Sequence, residues 1–501
     1  MLTRFLFLAF ASSLFGAEIT LTSPLDHQVI QRHSSTEGTI LIRGSQNGLD
    51  AGNTKFEAKI GAKGRWQALR AQIEKEQFSA SVAAPTGGWH RVEVRAVLDG
   101  KAVATAAVEH VGIGEVFVVA GQSNSANHGE EKQTTQTQRV AAFDGTKWQL
   151  ADDPQPGASG RMGSFMPALG DELVKRFDVP VGFVACGIGA TSVREWLPKG
   201  TTFPNPPTIE SRVTKLPDGQ WASNGAAYDA FIARMRPLGH NGFRAVLWHQ
   251  GESDANQKDA TRTLAGKLYR EYLEKIIRDS RRDTGFEAPW FVAQASYHVP
   301  GDEGSDDIRA AQASLWKDGL AQPGPDSDAL KGPLRERKGQ GVHFSGPGLR
   351  EHGQKWAEKI APWLQQQLAD DGFTPLFNGK DLTGWDGDPK LWKVENGIVI
   401  GTNPTPEAMA NNSFLIWRGG TVKDFELHAT VRVIGDNNSG IQYRSRELKD
   451  VAPWVITGYQ CDIHPAIEHT GMTYEEKGRG IFGLNGKNVL LDPDGAQGTA
   501  A

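Results

Sequence analysis

Cysteine is scarce in this 501-residue chain: Cys186 and Cys461 are the two, and they are far apart. A disulfide framework is excluded on that count, and both read as small buried apolar side chains. An excess of base is also missing, since 54 Lys+Arg stand against 59 Asp+Glu, a formal net charge of -5. With no Lys/Arg block to neutralise phosphates, a nucleic-acid partner is not expected. Long apolar runs are absent beyond Phe5–Phe15, which falls short of the ~20 residues that span a bilayer. Arg4 precedes that run and the small residues Gly16-Ala17 follow it, the pattern of a cleaved export signal over residues 1–17. Phe15 suits a cut after Ala17 poorly. The expected location is secreted or periplasmic, with no membrane span. At roughly 150 residues per domain the length predicts about three domains. Apolar residues at 39% suffice for several cores, and 58 Gly with 26 Pro suit a loop-rich, β-containing enzyme. Fourteen Trp exceed what cores need, and exposed aromatic faces stack on sugar rings.

Pattern divides the chain into three. From Glu18 to His110 it has period two: Val92, Val94, Ala96 and Leu98 alternate with Arg91, Glu93 and Arg95, and Asp99-Gly100 turns into Ala102–Val108. A small β-sandwich over 18–110 is predicted. From Val111 to Leu368 strands alternate with helices. Glu115–Ala120, Val181–Cys186, Phe243–His249 and Trp290–Ala295 are continuous apolar strands. Leu169/Leu173/Phe177, Tyr228–Arg236, Leu264/Leu268/Tyr272/Ile276 and Leu349/Trp356/Ile360/Leu364 mark helices. That alternation predicts an α/β domain over 111–368, a parallel sheet covered on both faces with its chemistry beyond the carboxyl ends of the strands. Gln365–Gln367 and Asp370–Gly372 resemble a linker. Residues 373–501 return to short strands at Gly397–Val399, Phe425–Val433, Gly440–Arg444 and Tyr459–Ile463, a second β-sandwich of jelly-roll type.

Four strand ends carry candidate chemistry. Gly121-Gln122-Ser123-Asn124-Ser125 places Ser123 on a strand-to-helix turn, where its own N–H faces a developing oxyanion. The alternative use of Ser123 is as a helix N-cap. Ser125 replaces the last Gly of G-x-S-x-G, which disfavours a standard α/β-hydrolase. Cys186-Gly187-Ile188-Gly189 lets backbone N–H groups approach a ligand; a tight turn without function is the alternative. Its glycines do not complete a dinucleotide fingerprint, because Ser192 takes the third position. In His249-Gln250-Gly251-Glu252-Ser253-Asp254, the Gln250 amide is able to donate to an oxyanion. Gly341-Val342-His343-Phe344-Ser345 mounts His343 before the last helix, in reach of a general-base role. A solvent-facing His is its alternative, and His128, His249 and His352 are rival bases.

Taken in order, these four segments resemble the SGNH hydrolases, and among them the sialate O-acetylesterase-like and acetylxylan-esterase-like carbohydrate esterases. The resemblance implies a flavodoxin-like domain with Ser123 as nucleophile and His343 as base. It implies an oxyanion hole of the Ser123 N–H, the Gly189 N–H and the Gln250 side chain, and an acetylated oligo- or polysaccharide as substrate, with no cofactor or metal. The family has Asp three residues before the His, where this chain has Gln340. Asp326, Asp328, Glu252 and Asp254 are the acids considered for orienting His343; the other possibility is a dyad.

The C-terminal part resembles the 3-keto-disaccharide hydrolase domain. Leu376–Trp385, Asp424–Leu427, Asn438–Ile441, Gly458–Gln460 and Gly478–Gly480 carry the likeness. It implies a concanavalin-like jelly roll that holds or cleaves glycans, and the stretch past Leu491 is short for the family's last strands. Gln460, Asp462 and His464 alternate onto one strand face, with Arg444, Glu475 and Arg479 as possible neighbours for a sugar. A metal on Asp462, His464 and His469 is the less favoured reading, and a solvated sheet face is the plain one.

Overall fold

The computed structural model describes residues 17–49, 52–370 and, with short gaps, 376–499. The expected export signal lies outside the described residues except for Ala17. The chain forms two compact units, 1–372 and 373–501.

Unit 1 opens with two sheets that share one apolar core. Glu18–Ser23, Glu37–Asn47, Gln77–Pro85 and Gln72–Glu74 form one antiparallel sheet. Gly87–Leu98 and Lys55–Ile60 pair antiparallel in the other. Ile40, Ile42, Phe56, Phe78, Val92 and Val94 meet between them. Asp99 and Gly100 make the hairpin turn, both at positive φ.

The strand that follows, β1 (Lys101–Gly121), runs unbroken from this sheet into the next. Its burial alternates through His110 and is then complete from Val111 to Gly121, the signature of a strand that leaves a one-sided sheet for one covered on both faces. The central sheet continues with β2 (Val140–Phe143), β3 (Trp148–Leu150), β4 (Val181–Ala185), β5 (Ala245–His249), β6 (Trp290–Gln294) and β7 (Gln322–Asp326). Their order is β3-β2-β4-β1-β5-β6-β7, and all pairs are parallel except β2 with β3.

Alternate strand residues face opposite helical layers. Val116, Val118, Val184, Val246, Trp248 and Val292 pack on α2 (Ala226–Met235), α3 (Gly266–Thr284) and α4 (Asp306–Lys317). Phe117, Val119, Phe183, Leu247 and Phe291 pack on α1 (Met166–Phe177) and α5 (Gly346–Asp370). The four apolar strands and four helices expected from periodicity are present; α4, whose buried face is Ile308, Ala311 and Leu315, and β7 are additional to them. β7 contains Pro323 and Pro325 and lies at the sheet edge, where a missing N–H costs no ladder bond.

Cys186 is buried, and burial pushes its thiol up to about 12. Cys461 is exposed, a correction to the expectation that both are buried. It sits mid-strand between the buried Gln460 and Asp462, so alternation turns it outward.

Unit 2 is an antiparallel β domain. Ser439–Glu447, Ile456–Ile463, Thr473–Glu476 and Gly480–Gly483 form its four-stranded sheet. Ile398–Gly401 pairs with Trp392–Glu395; Gly397 lies outside the described residues. No strand covers the described residues of 425–433, contrary to expectation. Phe425, Leu427 and Val431 are exposed there, and among the described residues no sheet covers them.

Candidate active site

At the end of β1 the backbone turns through Gly121 (φ 127). A Cβ there would lie 2.0 Å from the His249 carbonyl oxygen, so glycine lets β1 and β5 end side by side. Gln122 donates its N–H to that same carbonyl at 3.0 Å. Its side-chain oxygen accepts from the Ser253 N–H at 3.0 Å. Ser123 then opens a single helical turn, Ser123–Ser125, of which Gln122 is the cap. Ser123 is therefore not an N-cap, and no described residue bonds its hydroxyl. The hydroxyl is presented rather than spent.

His343 stands on the loop before α5, 23% exposed at the side chain. Its Nδ1 lies 3.0 Å from Glu336 Oε1. The same carboxylate oxygen accepts the His343 N–H at 3.3 Å, and the Glu336 N–H donates to the His343 carbonyl at 2.9 Å. A Cβ on Gly341 would strike Glu336 Cγ at 2.1 Å, so a glycine in this turn is what lets the carboxylate fold back onto the imidazole. The buried Arg335 pins the loop by donating to the carbonyls of Leu330, Ser327 and Val342 at 2.6, 2.7 and 2.7 Å. Asn124 joins the two halves: its amide donates to the Val342 carbonyl at 3.2 Å and to Glu252 Oε1 at 3.0 Å. Ser123 and His343 are thus the chain neighbours of a bonded pair.

The carboxylate on His343 is Glu336, and none of the four acids considered from sequence takes that place. Asp326 grips Arg309 at 2.8 Å. Asp328 accepts from the Ser296 and Tyr297 N–H groups at 2.8 and 2.9 Å and from Arg309 at 2.9 Å. Asp254 holds Ser192 Oγ and the Val193 N–H at 2.5 and 2.8 Å. Glu252 bonds Asn124 and lies 3.8 Å from His249 Nδ1. Sequence spacing missed Glu336 because it is seven positions before the histidine rather than three. The Gly339 and Gly341 between them are the signal of a tight return.

Gln250 is also corrected. It is fully buried, and its amide nitrogen has acceptors at 2.7 Å (Asp254), 3.1 Å (Thr191 carbonyl) and 3.2 Å (Gln122). Two amide protons facing three acceptors leave no donor for an oxyanion. The Gly189 N–H is at the site, donating to Ser159 Oγ at 2.6 Å. That hydroxyl is 3.0 Å from His128 Nε2, and the His128 ring stacks on His343 at 5.5 Å. Burial and the neighbouring His343 hold His128 below its ordinary value. Ser159 and His128 are hence two site residues for which the sequence offered no strand-end motif.

Of the rival bases, His249 and His352 are buried in the core. His249 Nε2 meets Ser327 Oγ at 2.8 Å, and His352 is enclosed by Phe165, Phe344 and Trp356 with both ring nitrogens unpartnered.

In unit 2 the strand register splits the expected sugar cluster. Gln460 and Asp462 are buried, bonded to each other, and share a face with Gln442, which lies opposite Gln460. Glu475 lies opposite Tyr459, so it belongs to the other face, where it pairs with Arg479. Arg444 is exposed on the bulge between Tyr443 and Arg446. His464 accepts the Ala466 N–H beyond the strand end, and Asp462, His464 and His469 do not converge as metal ligands among the described residues.

Residues 113–362 match the family model "Carbohydrate esterase, sialic acid-specific acetylesterase". The central domain is a carbohydrate esterase of this family. Residues 372–497 match a 3-keto-alpha-glucoside-1,2-lyase-like domain. The chain is therefore a carbohydrate acetylesterase, an ester hydrolase, with a second, C-terminal domain of that kind. No curated protein matches the chain. Among solved structures, a carbohydrate acetylesterase from Xanthomonas citri is 18% identical, with a TM-score of 0.43 over 74% of this chain and 80% of that one. A protein of Arabidopsis thaliana is 18% identical over 50% of this chain and 98% of its own, with a TM-score of 0.35. A carbohydrate esterase family 2 enzyme with a carbohydrate binding domain, from Corynascus thermopiles, is 12% identical over 69% and 99%, with a TM-score of 0.29.

Proposed function

We propose that this carbohydrate esterase removes acetyl groups from glycans through an acyl-enzyme on Ser123, with His343 as base and Glu336 as the group that orients it. The observation that carries the reading is a serine hydroxyl without a described partner, tied through the Asn124–Val342 hydrogen bond to the segment of a histidine whose Nδ1 lies 3.0 Å from a carboxylate. His343 Nε2 takes the Ser123 proton as Oγ attacks the acetyl carbonyl, and returns it to the leaving sugar hydroxyl. Water then cleaves the acyl-enzyme with His343 acting again. Glu336 holds the imidazole in the tautomer with its proton on Nδ1 and stabilises the imidazolium. The Ser123 N–H supplies an oxyanion donor, and the Gly189 N–H becomes a second when the oxyanion displaces the Ser159 hydroxyl it now meets. Gln340 in place of the family's acid is the feature that would favour a catalytically silent glycan binder, and Glu336 beside His343 Nδ1 counts against that reading.

We read the finer folds as a β-sandwich, a flavodoxin-like SGNH domain and a jelly roll, and the location as secreted or periplasmic. The C-terminal domain is assigned to holding glycan, supported by the polar face on which half-buried Gln442 joins buried Gln460 and Asp462. Acetate release from p-nitrophenyl acetate and acetylated xylan tests the esterase reading. Wild type is expected to be active, and Ser123→Ala and His343→Ala inactive with unchanged circular dichroism. Full activity in Ser123→Ala overturns the assignment.

A further inference from the structure

Away from the esterase site, three side chains meet where the N-terminal sheets join the central one. Asp26 and His27 lie on the turn between Glu18–Ser23 and Gln28–Gln31, and His110 lies on β1. Asp26 Oδ2 is 2.9 Å from His27 Nδ1, and Asp26 Oδ1 is 3.0 Å from His110 Nδ1. The two imidazoles stack with centroids 4.4 Å apart and planes at 25°. The potential ligand atoms of all three residues lie within 4.8 Å of one another.

We propose that Asp26, His27 and His110 bind one divalent transition-metal ion of the zinc class. Two imidazole nitrogens and one carboxylate oxygen are the donor set for zinc, nickel or copper, whereas calcium and magnesium take oxygen ligands. Zinc bonds of 2.0–2.2 Å place tetrahedral donors about 3.4 Å apart. The present separations reach that by small side-chain rotations. Two stacked imidazoles repel if both are charged; a shared cation instead uses both neutral rings. The support around the site is in place. The His110 N–H donates to Asp26 Oδ1 at 2.9 Å and fixes the carboxylate. His27 adopts φ 57, a backbone region uncommon for a non-glycine residue, and this conformation brings its ring onto His110.

Access is open, since the three side chains are 53%, 25% and 44% exposed, so an ion enters freely and keeps water at its remaining positions. The ion staples the Asp26-His27 turn to β1. Trp89 packs edge-on against His27 at 5.5 Å and donates its indole N–H to the Gln138 carbonyl of the esterase domain at 2.9 Å. The staple therefore braces the joint between the two and takes no part in ester cleavage.

The test is isothermal titration of the full chain with Zn2+ at neutral pH, with thermal unfolding in Zn2+ and in EDTA. One Zn2+ per chain and a higher melting temperature are expected. His110→Ala and the near-isosteric Asp26→Asn weaken binding by about tenfold or more and abolish the thermal shift, with esterase activity on p-nitrophenyl acetate confirming that both variants fold. His469→Ala leaves the titration unchanged. Absence of binding to wild type overturns the proposal, as does binding that survives in both His110→Ala and Asp26→Asn or is lost in His469→Ala.

Discussion

In the proposed mechanism Glu336 acts through His343, whose Nδ1 lies 3.0 Å from its carboxylate. A carboxylate on Nδ1 selects the tautomer that leaves the lone pair on Nε2, and a neutral amide does so less well. Glu336→Gln is expected to lower kcat by roughly 10²–10⁴-fold with little change in KM. Asp326→Asn, at an acid spent on Arg309, stays within about tenfold. Steady-state kinetics on p-nitrophenyl acetate separates the two. His352 presents the opposite case, an imidazole in the core with neither nitrogen bonded. Burial holds it, and His249 beside it, below the ordinary value of 6.5. The unfolded chain therefore takes protons at these positions first as pH falls. Their contribution to stability is full above about 6.5 and declines below it. His352→Leu removes an unpaired buried polar group and is expected to raise stability by about 1–2 kcal/mol. Urea unfolding at pH 7.5 and 5.5 checks this; the variant shows the shallower loss on acidification.

At the scale of elements, β1 is what makes one unit of two sheet systems. Just past the joint, the fully buried Glu115 accepts from Arg32 at 2.7 Å and from Arg244 at 2.7 Å. Arg32 follows the strand Gln28–Gln31, and Arg244 precedes β5, so a single carboxylate holds three segments. Removing it strands two guanidinium groups, one of them 3% exposed. Glu115→Ala is expected to cost about 3–5 kcal/mol. Because the pair bridges both sheet systems, the loss shows in chemical denaturation as one earlier transition rather than the separate melting of an N-terminal part.

At the scale of the molecule, Ser123, His343, Glu336, Gly189 and Ser159 all belong to the unit 1–372. A chain ending at Asp370 is expected to keep its kcat on p-nitrophenyl acetate within about twofold, since every residue positioning that site is retained. If the C-terminal domain holds glycan, the same truncation raises KM for acetylated polysaccharide while leaving the small ester unaffected. Comparing the two substrates on full-length and shortened chains reads both effects.

The central sheet was legible in the sequence because strands buried on both faces must be apolar throughout. Val116–Ala120 and Val181–Ala185 announce themselves, and the helices between them show their buried stripe. The proposed nucleophile and base stand at strand ends and loop-to-helix junctions that have local signatures, Gly121 before Ser123 and Gly341 before His343. Partners across space had no such mark. Gln250 stands in the right motif, yet Asp254, Thr191 and Gln122 consume its protons, and that competition exists once β1, β4 and β5 end together. Glu336 reaches His343 because the turn between them closes on two glycines, and Glu475 leaves Gln460 because the register pairs it with Tyr459. Burial pattern is written residue by residue along the chain, whereas hydrogen-bond partnership is decided by which ends the fold brings within 3 Å.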